Sequence, residues 1–153
     1  MDTTLKVILF QLKQQQYGVN IQQVLSIEKT QAITEVPQTF DFIKGIINLR
    51  GEITPVLDLK ERLDLGKTEY TDKTRILVVQ VHSYQIGLIV DSATDVIDIN
   101  QDEMDSAPDM IAGVSQDYIQ GVAKLKDQLL LLLDLEHVLD FEQLNEVKAA
   151  VER

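Results

Sequence analysis

His82 and His137 are the only imidazoles in the 153-residue chain, so acid–base or metal chemistry near neutral pH would have to pass through them. His82 falls in a polar turn between two apolar runs, and His137 in the short step after Leu135. Neither has a nearby Ser or acidic partner arranged as nucleophile, base and orienter, so both read as surface residues. The acidic positions Asp102/Glu103, Asp109 and Asp140/Glu142 would need burial to separate their pKa values for acid–base work. In loops and helix starts they are expected to face water instead. There is no Cys, which removes disulfides, thiolate metal sites and cysteine nucleophiles together. Gly45 and Gly51 lack the Lys-Ser/Thr and the strand-to-helix context of a phosphate loop. No spaced acidic ligand loop occurs either, so no cofactor and no metal are expected. Nothing in the chain builds an active site, and a small hydrolase working from the acidic loop is set aside.

Arg50 is a different matter. It stands between two apolar runs, Gly45–Leu49 and Ile53–Leu59, in a polar tip of Arg50, Gly51 and Glu52. Ile/Val/Leu-rich runs separated by a few residues that include Gly predict a β-hairpin with a short loop. Pro55 has no N–H for a ladder, so the second strand is expected at a sheet edge, or with that missing donor turned from any neighbour. Asp58 and Arg62 are four apart, neighbours on one helical turn. A guanidinium at the tip of a stiff, greasy hairpin is a docking feature, because Arg can bind carboxylates bidentately. An Arg folded back on an acidic neighbour is the alternative.

The elements that must position this hairpin come in two sets. Ile8–Leu12 returns as Leu77–Val81 at an offset of 69 residues, carrying Gly18 onto Gly87 and Ile27 onto Val96. The hairpin returns at an offset of 76: Gly45 onto Gly121, Arg50 onto Lys126, Ile53 onto Leu129, and Val56-Leu57-Asp58-Leu59 onto Leu132-Leu133-Asp134-Leu135. The change of offset falls between Ile99 and Ile119, where the second half has a polar loop from Asn100 to Asp117. Each half therefore reads as three strands (Lys6–Leu12, Tyr17–Ile21, Val24–Glu28; then Arg75–Val81, Gln85–Val90, Asp95–Ile99), a loop and the hairpin. Polar bends are expected at Gln14–Gln16 and His82–Tyr84. Five short strands per half predict two small SH3-like barrels related by a pseudo-twofold, burying a common apolar seam. Thr68–Lys73 is the polar crossing between them. Shared positions give Asp58 and Asp134 a structural role as caps or turn acceptors. Val24 and Ile27 fit core positions, with Leu25 then pointing outward. At the end, Asp140 reads as an N-cap with Gln143 three residues on, and Phe141, Leu144, Val147 or Lys148, and Val151 recur at helical spacing.

Composition narrows the partners. Net charge is −11, with no basic stripe to neutralise phosphates, so nucleic acid is not expected as a partner. The same carboxylates oppose lying on an anionic membrane, and favour partners with basic patches. The longest wholly apolar run, Leu129–Leu133, is far short of the ~20 residues of a membrane span, so no direct membrane insertion is expected. No signal peptide is visible, and a cytoplasmic protein is expected.

The string Ile43-Lys44-Gly45-Ile46-Ile47-Asn48-Leu49-Arg50-Gly51, followed by Pro55-Val56-Leu57-Asp58-Leu59, closely resembles the Asn-Leu-Arg-Gly motif of the CheW family of bacterial chemotaxis coupling proteins. Tyr17–Ile21 with Val24 and Ile27 is similar to that family's first-lobe pattern. Val90-Asp91, Asp95-Val96 and Ala107-Pro108 are similar to its second lobe. The likeness spans about residues 6 to 140. It implies an all-β protein with a C-terminal helix, made of two intertwined five-stranded SH3-like barrels. The whole chain, 1–153, would be one such domain, with lobes formed by 13–80 and by 1–12 plus 81–140, and a helix over 141–152. The resemblance further implies a non-catalytic scaffold joining the cytoplasmic tips of chemoreceptors to the regulatory domain of the histidine kinase CheA, recruited to membrane-associated receptor arrays. Val24, Ile27, Gly45, Asn48 and Arg50 then fall in the partner-binding region of the first lobe, and Met110 where the second lobe meets the kinase. Family members often have a basic residue and an aromatic in that second loop, where this chain has Asp105 and Met110. The alternative is an adaptor related to CheV, or a regulatory domain separated from its kinase; 153 residues leave no room for a receiver or ATP-binding domain.

Overall fold

Strand β1 (Thr4–Leu12) is apolar on both faces because each face meets a different core. Ile8, Phe10 and Leu12 enter a large central cluster, whereas Val7 and Leu9 pack with Ile99, Ala123, Leu130 and Leu132. A strand buried on both sides reads as a continuous hydrophobic run, which is what the sequence has there. β6 (Arg75–Val81) repeats the arrangement. Leu77, Val79 and Val81 join the central cluster, and Ile76 and Val78 pack with Ile47, Val56 and Ile89.

The computed structural model describes residues 4–36, 42–139 and 141–151. Between and after those two strands lie β2 (Gln15–Asn20), β3 (Val24–Lys29), β4 (Ile43–Leu49), β5 (Glu52–Asp58), α1 (Leu59–Arg62), β7 (Tyr84–Val90), β8 (Ser92–Asn100), β9 (Met110–Ile111), β10 (Val114–Ser115), β11 (Ile119–Lys124), β12 (Leu129–Leu133), α2 (Leu135–Val138) and α3 (Phe141–Val151). The first lobe is a sheet ordered β3-β6-β7-β5-β4, and the second is ordered β11-β12-β2-β1-β8. Under the duplication these are one arrangement read twice. Each lobe takes two strands from one half of the chain and three from the other.

The exchange shows in the register. Val56 of the first hairpin pairs with Gly87, and its echo Leu132 pairs with Gly18, both in parallel ladders. The two halves are thus intertwined SH3-like barrels around a pseudo-twofold, with the central cluster shared between them. The division differs from the expected one: β2 stays with β1 in the second lobe, and β7 stays with β6 in the first. Antiparallel hairpins with two-residue turns keep their strands together, so the crossings fall at Ile21–Gln23 and Asp91, not at residues 13 and 80.

Other expectations shift for local reasons. The β1–β2 turn is the pair Lys13–Gln14, both with positive φ (51° and 68°), so Gln15 and Gln16 already belong to a strand. β5 is not an edge strand, since it lies between β7 and β4. Pro55 is tolerated because its cross-strand partner Ile46 spends both backbone groups on Thr34, at 2.9 and 2.8 Å. The ladder to β7 begins only at Val56. The polar loop of the second half contains the small β9–β10 hairpin. The C-terminal helix forms over Phe141–Val151, with Leu144 buried and Phe141 against the Tyr84 ring. The proposed cap, Asp140, lies outside the described residues, as do the side chains of Val147, Lys148 and Val151.

Candidate partner-binding surfaces

The hairpin tip is a two-residue turn. Leu49 pairs with Glu52, and Arg50 and Gly51 between them have φ of 54° and 80°. Positive φ at both central residues marks a type I′ turn, whose twist matches that of the flanking strands. Glu52 therefore starts β5 and is not part of the tip. Gly51 relieves one of the two left-handed positions, and Arg50 occupies the other. Arg50 is exposed, and among the described residues it makes no hydrogen bond or ion pair. It is not folded back on a carboxylate. Asn48 and Ile53 are cross-strand partners just behind it and both are exposed, Ile53 by 36%. The tip thus offers a cation, an amide and an aliphatic side chain on one rigid ribbon.

Gly45 sits differently from the surface position implied for it. It is buried with φ of 144°, and an added Cβ would lie 2.1 Å from the Thr34 carbonyl oxygen. Its close backbone neighbour is this chain's own loop, so it shapes the hairpin from within. Val24 is half-buried against the central core, as expected. Ile27 is 44% exposed and Leu25 40%, so Ile27 is no core residue. Burial alternates strictly along β3, so Leu25 and Ile27, two residues apart, share the outward face of this edge strand, and Val24 and Ile27, three apart, cannot both face the core. Ile27 and the hairpin tip belong to strands at opposite ends of the first lobe's ladder order. Met110 is apart from both, 59% exposed on β9.

Below the tip, Asp58 is the strongest structural side chain of the hairpin. It is 2% exposed and accepts from Lys60 N–H at 3.0 Å, Thr68 N–H at 2.9 Å and the Thr68 hydroxyl at 2.8 Å. It caps α1 and ties down the crossing loop, and it does not pair with Arg62. Its echo Asp134 makes no such cap and instead meets His137 Nδ1 at 2.7 Å. Lys44 pairs with Glu61 beside it.

Each histidine lies beside a carboxylate at the surface, His82 at 3.6 Å from Glu136 and His137 at 2.7 Å from Asp134. Both rings are largely exposed, and neither is hydrogen-bonded to a hydroxyl among the described residues. Among those residues, no group of three or more His, Asp or Glu is placed to hold a metal ion. No helix among them is long and apolar enough to cross a membrane.

The CheW-like domain model matches residues 6–143. The chain belongs to the CheW family. It is 41% identical over 137 residues to the chemotaxis protein CheW of Bacillus subtilis (strain 168), covering 90% of this chain and 88% of that protein. It is 30% identical to CheW of Klebsiella aerogenes, covering 90% of this chain and 82% of that one. The crystal structure of the scaffolding protein TtCheW from Thermoanaerobacter tengcongensis superposes with a TM-score of 0.83 at 34% identity, covering 92% and 90% of the two chains. This is a family of chemotaxis scaffolds and not of enzymes, so the histidine–carboxylate contacts need no catalytic reading.

Several exposed aliphatics escaped the sequence reading. Val96 (51%) is the echo of Ile27, and Leu129 (39%) is the echo of Ile53. The signal was present in the repeat itself: equivalent positions on edge strands and hairpin tips share exposure. Arg62, which the spacing sets beside Asp58, turns instead toward the other lobe, with Nε donating to the Val138 carbonyl at 2.7 Å.

Proposed function

We propose that this chain joins the cytoplasmic tips of chemoreceptors to the regulatory domain of the histidine kinase CheA at membrane-associated receptor arrays. The observation that carries this is Arg50: a guanidinium at a stiff type I′ tip, exposed, without a partner among the described residues, and flanked by exposed Asn48 and Ile53. Interface hot spots are enriched in Arg set beside apolar surface, and a pre-formed turn costs little ordering on binding. Val24 supports β3 from within, Ile27 offers a second apolar contact on the same lobe, and Gly45 holds the hairpin in shape. Met110 is the candidate contact of the second lobe.

No chemistry is needed for this role. One body with two docking faces links its partners through a coupling free energy, and individually small contacts gain strength from the array. Isothermal calorimetry of the chain with the cognate kinase regulatory domain, and separately with a receptor-tip fragment, tests it. Saturable binding to both is expected. Absence of heat and of co-migration with either partner refutes it.

A further inference from the structure

The duplication brings one pair of equivalent residues into direct contact. At the hairpin offset of 76 residues, Arg62 at the end of α1 corresponds to Val138 at the end of α2, and Phe42 before β4 corresponds to Tyr118 before β11. Arg62 Nε donates to the Val138 carbonyl at 2.7 Å, and Nη1 to the Tyr118 hydroxyl at 3.2 Å. The guanidinium carbon lies 5.4 Å from the Phe42 ring centroid and 5.0 Å from that of Tyr118. A residue touches its own symmetry mate only near the axis that relates them. This cluster therefore lies at the pseudo-twofold.

The backbone there keeps the symmetry. Asp58 N–H donates to the Phe42 carbonyl at 2.7 Å, and Asp134 N–H to the Tyr118 carbonyl at 2.9 Å. The side chains break it, with a single Arg facing a single Val. Two arginines would oppose like charges at this point, whereas two valines would supply no directional bond. One guanidinium, held between equivalent aromatic rings and bonded across the seam, fixes the angle between lobes in a way apolar packing does not. A second cross-lobe link runs through Asp91, which accepts from Lys60 Nζ at 3.3 Å and Lys13 N–H at 2.9 Å. It is ionic and part-exposed.

We infer that Arg62 is a positioning residue: it pins the two lobes at their pseudo-twofold axis and so carries the coupling between the partner surface on the first lobe and that on the second. The coupling half of this rests on the adaptor role proposed above, and the pinning half does not. The absence of cysteine makes the test direct. Nitroxides on Gln80→Cys (first lobe, exposed) and Lys124→Cys (second lobe, exposed) report the inter-lobe distance by pulsed electron resonance. Arg62→Met keeps the side-chain length and removes the fork, and Arg62→Lys keeps the charge and is read in the same way where the Met variant fails to fold. Broadening of the distance distribution in a variant that still unfolds cooperatively is the expected result, and an unchanged distribution overturns the pin. In calorimetry, each variant is expected to bind kinase domain or receptor tip singly as wild type does. The factor by which one partner changes affinity for the other, about 5-fold or more in wild type, is expected to fall toward 1. A wild-type factor of 1, or a factor preserved despite broadening, overturns the coupling role. A wild-type chain that binds neither partner overturns the adaptor reading and the coupling role together, with the distance measurement still deciding the pin.

Discussion

Replacing Gly45 by Ala adds one methyl group, and the structure says where its cost arises. The Cβ would lie 2.1 Å from the Thr34 oxygen, 2.8 Å from the Thr34 carbonyl carbon and 2.9 Å from Ile33 Cγ2. Two of those atoms are backbone, so relief requires the loop to withdraw, and the paired Thr34–Ile46 hydrogen bonds at 2.9 and 2.8 Å go with it. Each is worth about 1 kcal/mol net. A residue with a side chain at φ of 144° adds strain of about 1–3 kcal/mol. The expected loss is about 3–5 kcal/mol, a large fraction of the ~5–15 kcal/mol by which domains are stable. The pseudo-equivalent Gly121 supplies the control. Its added Cβ would meet Met104 Cε at 2.6 Å, the free end of a flexible side chain, and no positive φ is involved. Gly121→Ala is expected to cost under about 1 kcal/mol, since Met repacks readily. Urea denaturation followed by circular dichroism reads both, with Gly45→Ala lowering the midpoint by about 2 M. A loss below ~1 kcal/mol for Gly45→Ala, or equal losses at the two glycines, would refute the reasoning.

Other expectations test separate links. Arg50→Asp should weaken binding to the partner of the first lobe by about 2 kcal/mol or more in calorimetry. Its unfolding midpoint should be unchanged, because Arg50 is exposed and Asp tolerates left-handed φ. Asp58→Ala strips acceptors from α1 and from both Thr68 donors and should cost about 3 kcal/mol, whereas Asp134→Ala should cost under about 1; equal losses in urea melts would contradict their different environments. Burial pushes the Tyr17 hydroxyl up to about 12 from the usual 10.0. The folded state then holds a proton that the unfolded chain releases, so stability is full below pH 10 and falls by about 2–3 kcal/mol as pH approaches 12. Tyr17→Phe should flatten that alkaline limb, and a limb unchanged in the variant would exclude Tyr17 as its source.

The repeat was legible because apolar runs, glycines and the Asp-Leu pair survive in order along each half. From it came the strand count, the twin barrels and the hairpin. Lobe boundaries were less legible, because periodicity along a chain says nothing of which half a strand will pair with. The parallel ladders Val56–Gly87 and Leu132–Gly18 join residues far apart in sequence. Ile27 is not in the core because period-two alternation sets it on the face opposite Val24, three residues away, although its aliphatic side chain reads as a core residue.

By itself, the sequence determined the doubled strand pattern and the Asn-Leu-Arg-Gly tip. Those properties reside in residue type and local spacing. Only the tertiary structure decided that Gly45 lies beneath a loop, that Asp58 is sealed by Thr68 while Asp134 is not, and that Arg62 meets the mate of its own repeat. These depend on the halves exchanging strands around one axis. Contacts across such an axis join residues at one point in space that the chain keeps 76 positions apart.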